Sequence, residues 1–430
     1  MKLLLKNGRV IDPNSSLDAK RDVLLDKGKV VKIAARITDE SAKVIDCAGL
    51  VVCPGFIDMH VHFREPGQEW KETIATGCAA AASGGFTGVA CMPNTLPVND
   101  SRPVTEMIMA AAAAHPVHVW PIGCVTLGQE GEALAEMGDM HGAGAVAFSD
   151  DGKPILSSLV MRRALEYSKI FGVPIIDHCE DSVLVDGGVM NEGEFSTRLG
   201  LRGWPGVAED LMVQRDILLT EYTGGRVHIA HASTARAVDL VRQAKKKKIA
   251  VTCEVTPHHL VMTDEAVVGY DTNTKMNPPL RAKEDVKGLR KALADGTIDA
   301  IATDHAPHHC DEKCIEWSLA PFGIIGLETA VPVCLDRLVH QGVIDLPRFV
   351  QLVTTGPAEI LGVDRGRLEE GGPADVTILD IEREVEINAE EFDSKSSNTP
   401  FDGWTCRGTN VMTIVGGRIV DDKLAKQKRG

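Results

Sequence analysis

The feature that most limits what this chain can fold into is a recurrence. Eight short runs rich in Val, Ile and Ala stand at 55–62 (GFIDMHVH), 88–95 (GVACMPNT), 118–126 (HVWPIGCVT), 144–151 (GAVAFSDD), 173–181 (VPIIDHCED), 226–233 (RVHIAHAS), 249–259 (IAVTCEVTPHH) and 298–308 (IDAIATDHAPH). Most are followed by a helix-like stretch. Near-continuous apolar strands alternating with helices make a parallel sheet covered on both faces. Eight such units in roughly 250 residues match the count and size of a (β/α)8 barrel. An open doubly wound sheet is the other arrangement, but no Gly-rich dinucleotide loop follows the first strand. The expected fold is therefore α/β, a (β/α)8 barrel.

The flanks read differently. Residues 1–53 are short strands broken at Asn-Gly, Lys-Gly and Ala-Gly turns, and ADVTILDI and NVMTIVGGRIVDD near the other end share that texture. Both ends are expected to build one composite β-sandwich domain. The expected division is 1–53 and 366–430 for its two parts, with the barrel over 54–365.

Composition narrows the function. Aromatics are only 4% of 430 residues, so the core must be built from Ala, Val, Ile and Leu. A net charge of −15 argues against a broad nucleic-acid surface, yet permits a small anionic substrate where a metal or a few cations reverse the sign locally. The one basic run, Lys245 to Lys248, ends a helix-like stretch, where positive charge suits the helix dipole. Eleven cysteines without repeated spacing read as free thiols in a reducing cytoplasm, and the lone CxxxC of Cys310 and Cys314 does not read as a zinc site. The first residues carry too short an apolar run for a signal peptide, and no stretch reaches 18 apolar residues.

Polar residues gather at the C-terminal ends of the eight runs: His60 and His62, Asn94, Asp150 and Asp151, His178, His231, His258, Asp304. In a barrel those ends meet at one mouth. Period-two alternation points His60 and His62 to the same side. Four imidazoles (His60, His62, His178, His231) and two carboxylates (Asp151, Asp304) are a borderline-soft set that suits zinc. One open zinc needs about three protein ligands, so six suggest a pair, with one aspartate as the bridge. His115, His118, His141, His228 and His340 lie mid-strand, at strand starts or in helices, and read as structural. His258 and His259 lean the same way less firmly.

PGFIDMHVHFREPGQEWKE, with ATDHAPH and FGIIGLET downstream, resembles the amidohydrolase superfamily and, within it, the bacterial class I dihydroorotases, over essentially the whole chain. Many amidohydrolases share HxH; the Arg-Glu-Pro-Gly extension is the more specific part. The resemblance implies a barrel with a composite β domain and the reversible cyclisation of N-carbamoyl-L-aspartate to L-dihydroorotate in pyrimidine synthesis. It implies that His60, His62 and Asp304 bind one zinc, His178 and His231 the other, and that Asp151 bridges. Hydantoinases and some dihydroorotases bridge with a carboxylated lysine; FSDDGKP has none at that position, and Lys153 lies beyond the turn. The residues alone barely separate Asp150 from Asp151, and the shorter bridge leaves one zinc as an alternative to two.

Opening a cyclic amide needs a nucleophile, charge stabilisation at the carbonyl oxygen and a proton for the departing nitrogen. Asp304 is the candidate proton carrier. A substrate with carboxylates needs cations and amide donors: Arg64 beside His62, Asn94, and, from the resemblance, Asn277, His308 and the backbone around Phe322 and Gly323, with His62 also facing substrate. Asp58 is expected either to support a ligand imidazole or to play a plain structural role. The long polar connection from His309 to Pro321 reads as a lid. The competing readings are a hydantoinase or allantoinase, and a non-catalytic subunit of aspartate transcarbamoylase, a class recognised by lost ligands. The resemblance further suggests a homodimer that associates with aspartate transcarbamoylase; the cysteine usage, net charge and lack of a long apolar run point to the cytoplasm without nucleic-acid or membrane partners.

Overall fold

The computed structural model describes residues 2–427. Eight parallel strands follow one another around a barrel, seven inside the expected runs and the second beginning two residues before its run: Phe56–Val61, Phe86–Cys91, His118–Gly123, Ala147–Ser149, Ile175–Asp177, Val227–Ile229, Val251–Val255 and Ala300–Ile301. The last strand returns to the first through a parallel bridge between Val61 and His305, and His62 N–H donates to His305 O at 2.8 Å.

Small and medium side chains fill the barrel interior, among them Ile57, Met59, Ala90, Ile122, Ala230 and Ala300. Larger groups pack between strands and helices; Phe56 meets the rings of Phe86 and Phe349 edge-on at 6.1 and 5.9 Å. The scarcity of aromatics is thus absorbed by an alanine-rich barrel core with phenylalanine outside it. The covering helices begin and end where their sequences require. Thr73 caps Ile74–Gly84 by accepting from Thr76 N–H, and Gly85, at φ 94°, ends it. Thr234 caps Ala235–Lys246, which closes in Lys245 and Lys246.

The two ends of the chain share a second, eight-stranded sheet. Leu3–Asp12 pairs antiparallel with Leu17–Asp26 and parallel with both Lys43–Asp46 and Val51–Pro54. Val51–Pro54 pairs antiparallel with Val376–Glu386, in a register of Val376 to Pro54, and this joins the N-terminal strands to the C-terminal ones. Lys29–Ala34, paired antiparallel with Leu17–Asp26, and Thr405–Val415 and Arg418–Asp422 complete the sheet. Among the described residues no helix is long and apolar enough to cross a membrane.

Candidate metal centre and substrate cavity

His60 and His62 leave the first strand, Asp151 the fourth, His178 the fifth, His231 the sixth and Asp304 the eighth; all six are buried. Their donor atoms converge. His60 Nε2 lies 3.4 Å from Asp151 Oδ1 and 3.6 Å from Asp304 Oδ1. His62 Nε2 lies 3.4 Å from Asp151 Oδ2 and 3.1 Å from Asp304 Oδ1. On the other side, His178 Nδ1 and His231 Nε2 lie 3.6 and 3.4 Å from Asp151 Oδ1. Asp151 thus belongs to two donor groups at once, one with His60 and His62, one with His178 and His231.

This arrangement fits metal. Donors held at ~2.0–2.1 Å by a tetrahedral ion stand roughly 3.4 Å from one another. His60 Nε2 and Asp151 Oδ1 are buried polar atoms without a hydrogen bond, an expensive state unless an ion satisfies them. Burial pushes the Asp151 carboxyl up, but His60, His178 and His231 pull it well below its ordinary value. Burial likewise raises Asp304, which His62 and His60 outweigh to bring it down to about 2. Buried carboxylates that stay ionised call for positive charge.

The backbone is bent to make this cluster. Arg64, His231 and Asp304 have φ of 61°, 31° and 50°. The left-handed region costs a non-glycine residue ~1–2 kcal/mol, and such outliers concentrate at functional sites.

Asp150 and Asp151 separate cleanly. Asp150 accepts from the backbone N–H groups of Val125 (2.8 Å) and Thr126 (3.0 Å) and from the Thr126 hydroxyl, so it ties down a neighbouring loop. Asp58 does not touch an imidazole. It accepts from His60 N–H at 3.1 Å and Thr303 N–H at 3.2 Å, joining the first and eighth strands. The strand register shifts between Asp58 and Val61, which puts Asp58 out of step with the histidines above it.

Glu254, absent from the sequence reading, takes the supporting role. Its Oε1 is 2.6 Å from His60 Nδ1 and accepts from His231 N–H at 3.3 Å, while Oε2 is 3.3 Å from His228. A glutamate inside an apolar strand, between Cys253 and Val255, was the signal available for it. Glu180 was missed as well: its Oε2 lies 2.8 Å from His178 Nε2 and accepts from Asn277 Nδ2 at 3.1 Å. His259 is structural, with ring nitrogens 2.7 Å from Thr256 Oγ1 and 3.0 Å from Pro278 O. His258 is buried with Nε2 unpartnered.

Above the cluster lies a cavity of about 350 Å³ lined by every residue expected to meet substrate: His62, Arg64, Asn94, Asn277, His308, and Phe322 with Gly323. Arg64 donates from Nε to Pro307 O at 3.2 Å, and its terminal nitrogens have no protein partner among the described residues. Burial lowers its pKa to about 10, which leaves it cationic at neutral pH. Asn94 Oδ1 is 2.8 Å from His62 Nδ1, so the amide orients that imidazole and keeps its NH2 for another acceptor. His308 is spent on the protein: Nε2 lies 2.8 Å from Phe322 O and Nδ1 3.5 Å from Lys71 Nζ. Burial and Arg64 depress it to about 2, so it is neutral. Gly323, at φ 130°, admits no side chain, because a Cβ would stand 2.9 Å from Ala306 Cβ.

The connection after the eighth strand is anchored. Lys313, buried, donates to Thr272 O (3.0 Å), Lys275 O (3.4 Å) and Pro321 O (2.9 Å); Lys275 donates to Trp317 O (3.1 Å) and Ser318 O (2.8 Å). Cys310 and Cys314 are exposed on it, and the other nine cysteines are buried free thiols.

Comparison with known proteins places these features in a lineage. A family model described as dihydro-orotase-like matches residues 49–237, and one described as amidohydrolase family matches residues 326–421. The chain is 53% identical to a dihydroorotase of Geobacter sp. (strain M21), covering 98% of this chain and 99% of that protein. It is 54% identical to a dihydroorotase of Pelotomaculum thermopropionicum, covering 98% of each. Among solved structures, an L-hydantoinase (dihydropyrimidinase) from Arthrobacter aurescens superposes with a TM-score of 0.89 at 28% identity, over 98% of this chain and 96% of the other.

Proposed function

The chain belongs to the dihydroorotase family, and from that premise we propose that it interconverts N-carbamoyl-L-aspartate and L-dihydroorotate in pyrimidine synthesis, with zinc as its metal. The observation that carries the reading is the sharing of Asp151 between two donor groups beneath a cavity lined by Arg64. His60, His62 and Asp304 would hold one ion and His178 and His231 a second, with Asp151 common to both. The chemistry zinc would supply there, held by these residues, is Lewis acidity toward the ring carbonyl and a nucleophile at neutral pH.

The remaining work falls to side chains. Arg64 binds a substrate carboxylate through its unpartnered guanidinium nitrogens. Asn94 directs its free amide donor into the same cavity. The Phe322 backbone N–H, which has no protein partner among the described residues, is a further donor for substrate. Asp304 is ionised at neutral pH and takes the proton released as the new bond forms. It returns that proton to the ring nitrogen on opening and removes it on closure.

Two features disfavour a hydantoinase. No lysine stands at the bridge, and the cavity wall carries a buried arginine where a neutral ring would need none. The test is the zinc-loaded protein assayed in both directions by absorbance, with hydantoin and allantoin as competitors. Turnover of dihydroorotate at least ~100-fold faster, or ~2.7 kcal/mol in barrier, is expected; comparable hydantoin turnover would overturn the proposal. The proposal extends to a homodimer in the cytoplasm, with aspartate transcarbamoylase as an associating enzyme.

A further inference from the structure

The helix Val207–Thr223 covers the barrel with one face and presents a second apolar face to solvent. Its exposed side chains are Val207, Leu211, Leu218, Glu221 and Tyr222, of which only Glu221 is charged. Leu218 is 55% and Tyr222 72% exposed. At 100° per residue, Val207, Leu211, Leu218 and Tyr222 fall within an arc of about 60°. A surface helix with no partner carries polar residues on that arc.

The patch continues onto neighbouring helices. Arg215 donates to the carbonyl oxygens of Ile155 and Leu156, and Arg162 lies over the Tyr222 ring at 5.4 Å, which sets exposed Leu156 and Leu159 along one flank. Asp181 N–H donates to Ala208 O at 3.0 Å, which sets exposed Val183 and Leu184 beside the other end. Together the stripe and its flanks expose on the order of 800 Å², the share one partner gives to an interface of standard size. Patches this large on soluble proteins mark interaction sites.

The spacing identifies the occupant. Val207 and Tyr222 are symmetric about a point between 214 and 215, and so are Leu211 and Leu218. A copy of the same helix running antiparallel therefore sets Val207 against Tyr222 and Leu211 against Leu218, twice over, as an isologous two-fold contact requires. Gln214 lies at the midpoint of the stripe along the helix axis and about 20° outside that arc, half-buried and without a hydrogen-bond partner among the described residues. An amide is both donor and acceptor, so at a two-fold axis it pairs with its own mate.

We infer that helix Val207–Thr223, flanked by Leu156–Leu159 and Val183–Leu184, is a self-complementary dimer face that binds a second copy of this chain around a two-fold axis at Gln214. The inference rests on the homodimer reading above and gives it a surface. The test uses the full chain. Light scattering at micromolar concentration should give twice the chain mass, and L211E/L218E should weaken association ~100-fold or more, to monomer, with far-UV circular dichroism and metal content retained. In a C310S/C314S background, Q214C should cross-link to a dimer with diamide. V207C should not, because its mate lies ~22 Å away along the helix axis. A monomeric native chain overturns both the homodimer reading and this face. A native dimer that survives L211E/L218E, or that cross-links through V207C and not Q214C, overturns this face alone.

Discussion

Asp304 is placed to be both metal donor and proton carrier, and the two roles can be separated by substitution. Asp304→Asn keeps an oxygen donor but cannot hold a proton. It is expected to lower turnover by ~10³-fold or more while most metal stays bound, checked by kinetics beside elemental analysis. Arg64→Met removes the planar fork and keeps much of the bulk. The Michaelis constant for dihydroorotate should rise by ~10–100-fold, worth 1.4–2.8 kcal/mol, with a smaller change in kcat; unchanged affinity would misplace the carboxylate clamp. Glu254 never reaches the cavity, yet it fixes the ring of His60 and the backbone of His231. Glu254→Gln should weaken metal binding ~10–100-fold, the usual size of an outer partner's effect, read by competition with a chelator.

At the scale of elements, the connection from His309 to Gly323 is fastened by two buried lysines that bond to carbonyl oxygens. Burial brings Lys313 from 10.5 down to about 7. Between those values the folded chain has released a proton that the unfolded chain still holds. Stability of this connection therefore rises as the pH goes from about 7 toward 10.5, and is least below 7. Lys313→Met removes its share of the dependence and three hydrogen bonds of ~1 kcal/mol each. Proteolysis of the connection, normalised to an unstructured substrate of the same protease, should slow with rising pH in the native chain. In the variant it should be faster throughout and less steep with pH, the remaining slope coming from Lys275, which burial lowers to about 8.

The whole molecule uses its far C-terminal segment to shape the barrel mouth. Asn398 Oδ1 accepts from His308 N–H at 3.1 Å, and its Nδ2 donates to Ala306 O at 3.2 Å and Gly323 O at 3.1 Å. Nearby, Ser394 Oγ donates to Glu72 at 2.5 Å, and Glu72 lies 3.3 Å from His305. One amide thus ties the segment at Ala306 and His308, beyond the eighth strand, to the wall at Gly323. Asn398→Ala should raise the Michaelis constant ~10-fold, or ~1.4 kcal/mol, with metal content unchanged. A drop in melting temperature alone, with the constant unmoved, would reduce Asn398 to a structural tie.

Eight apolar runs with polar ends determined the barrel, because strand periodicity and helix alternation are local properties of the chain. The same runs offered the histidines and aspartates, because metal chemistry selects residue types. Which aspartate turns inward was not local: Asp150 and Asp151 are adjacent, and only the loop at Val125 and Thr126 claims one of them. Glu254 and Asn398 escaped the sequence because their partners lie tens to hundreds of residues away, and side chains meet at such separations only once the sheet has closed; Glu180 stands two residues from His178, but its tie to Asn277 spans 97 residues. The outward stripe on Val207–Thr223 was hidden for a related reason: a helix apolar on both faces reads as buried until the structure shows which face the barrel leaves uncovered.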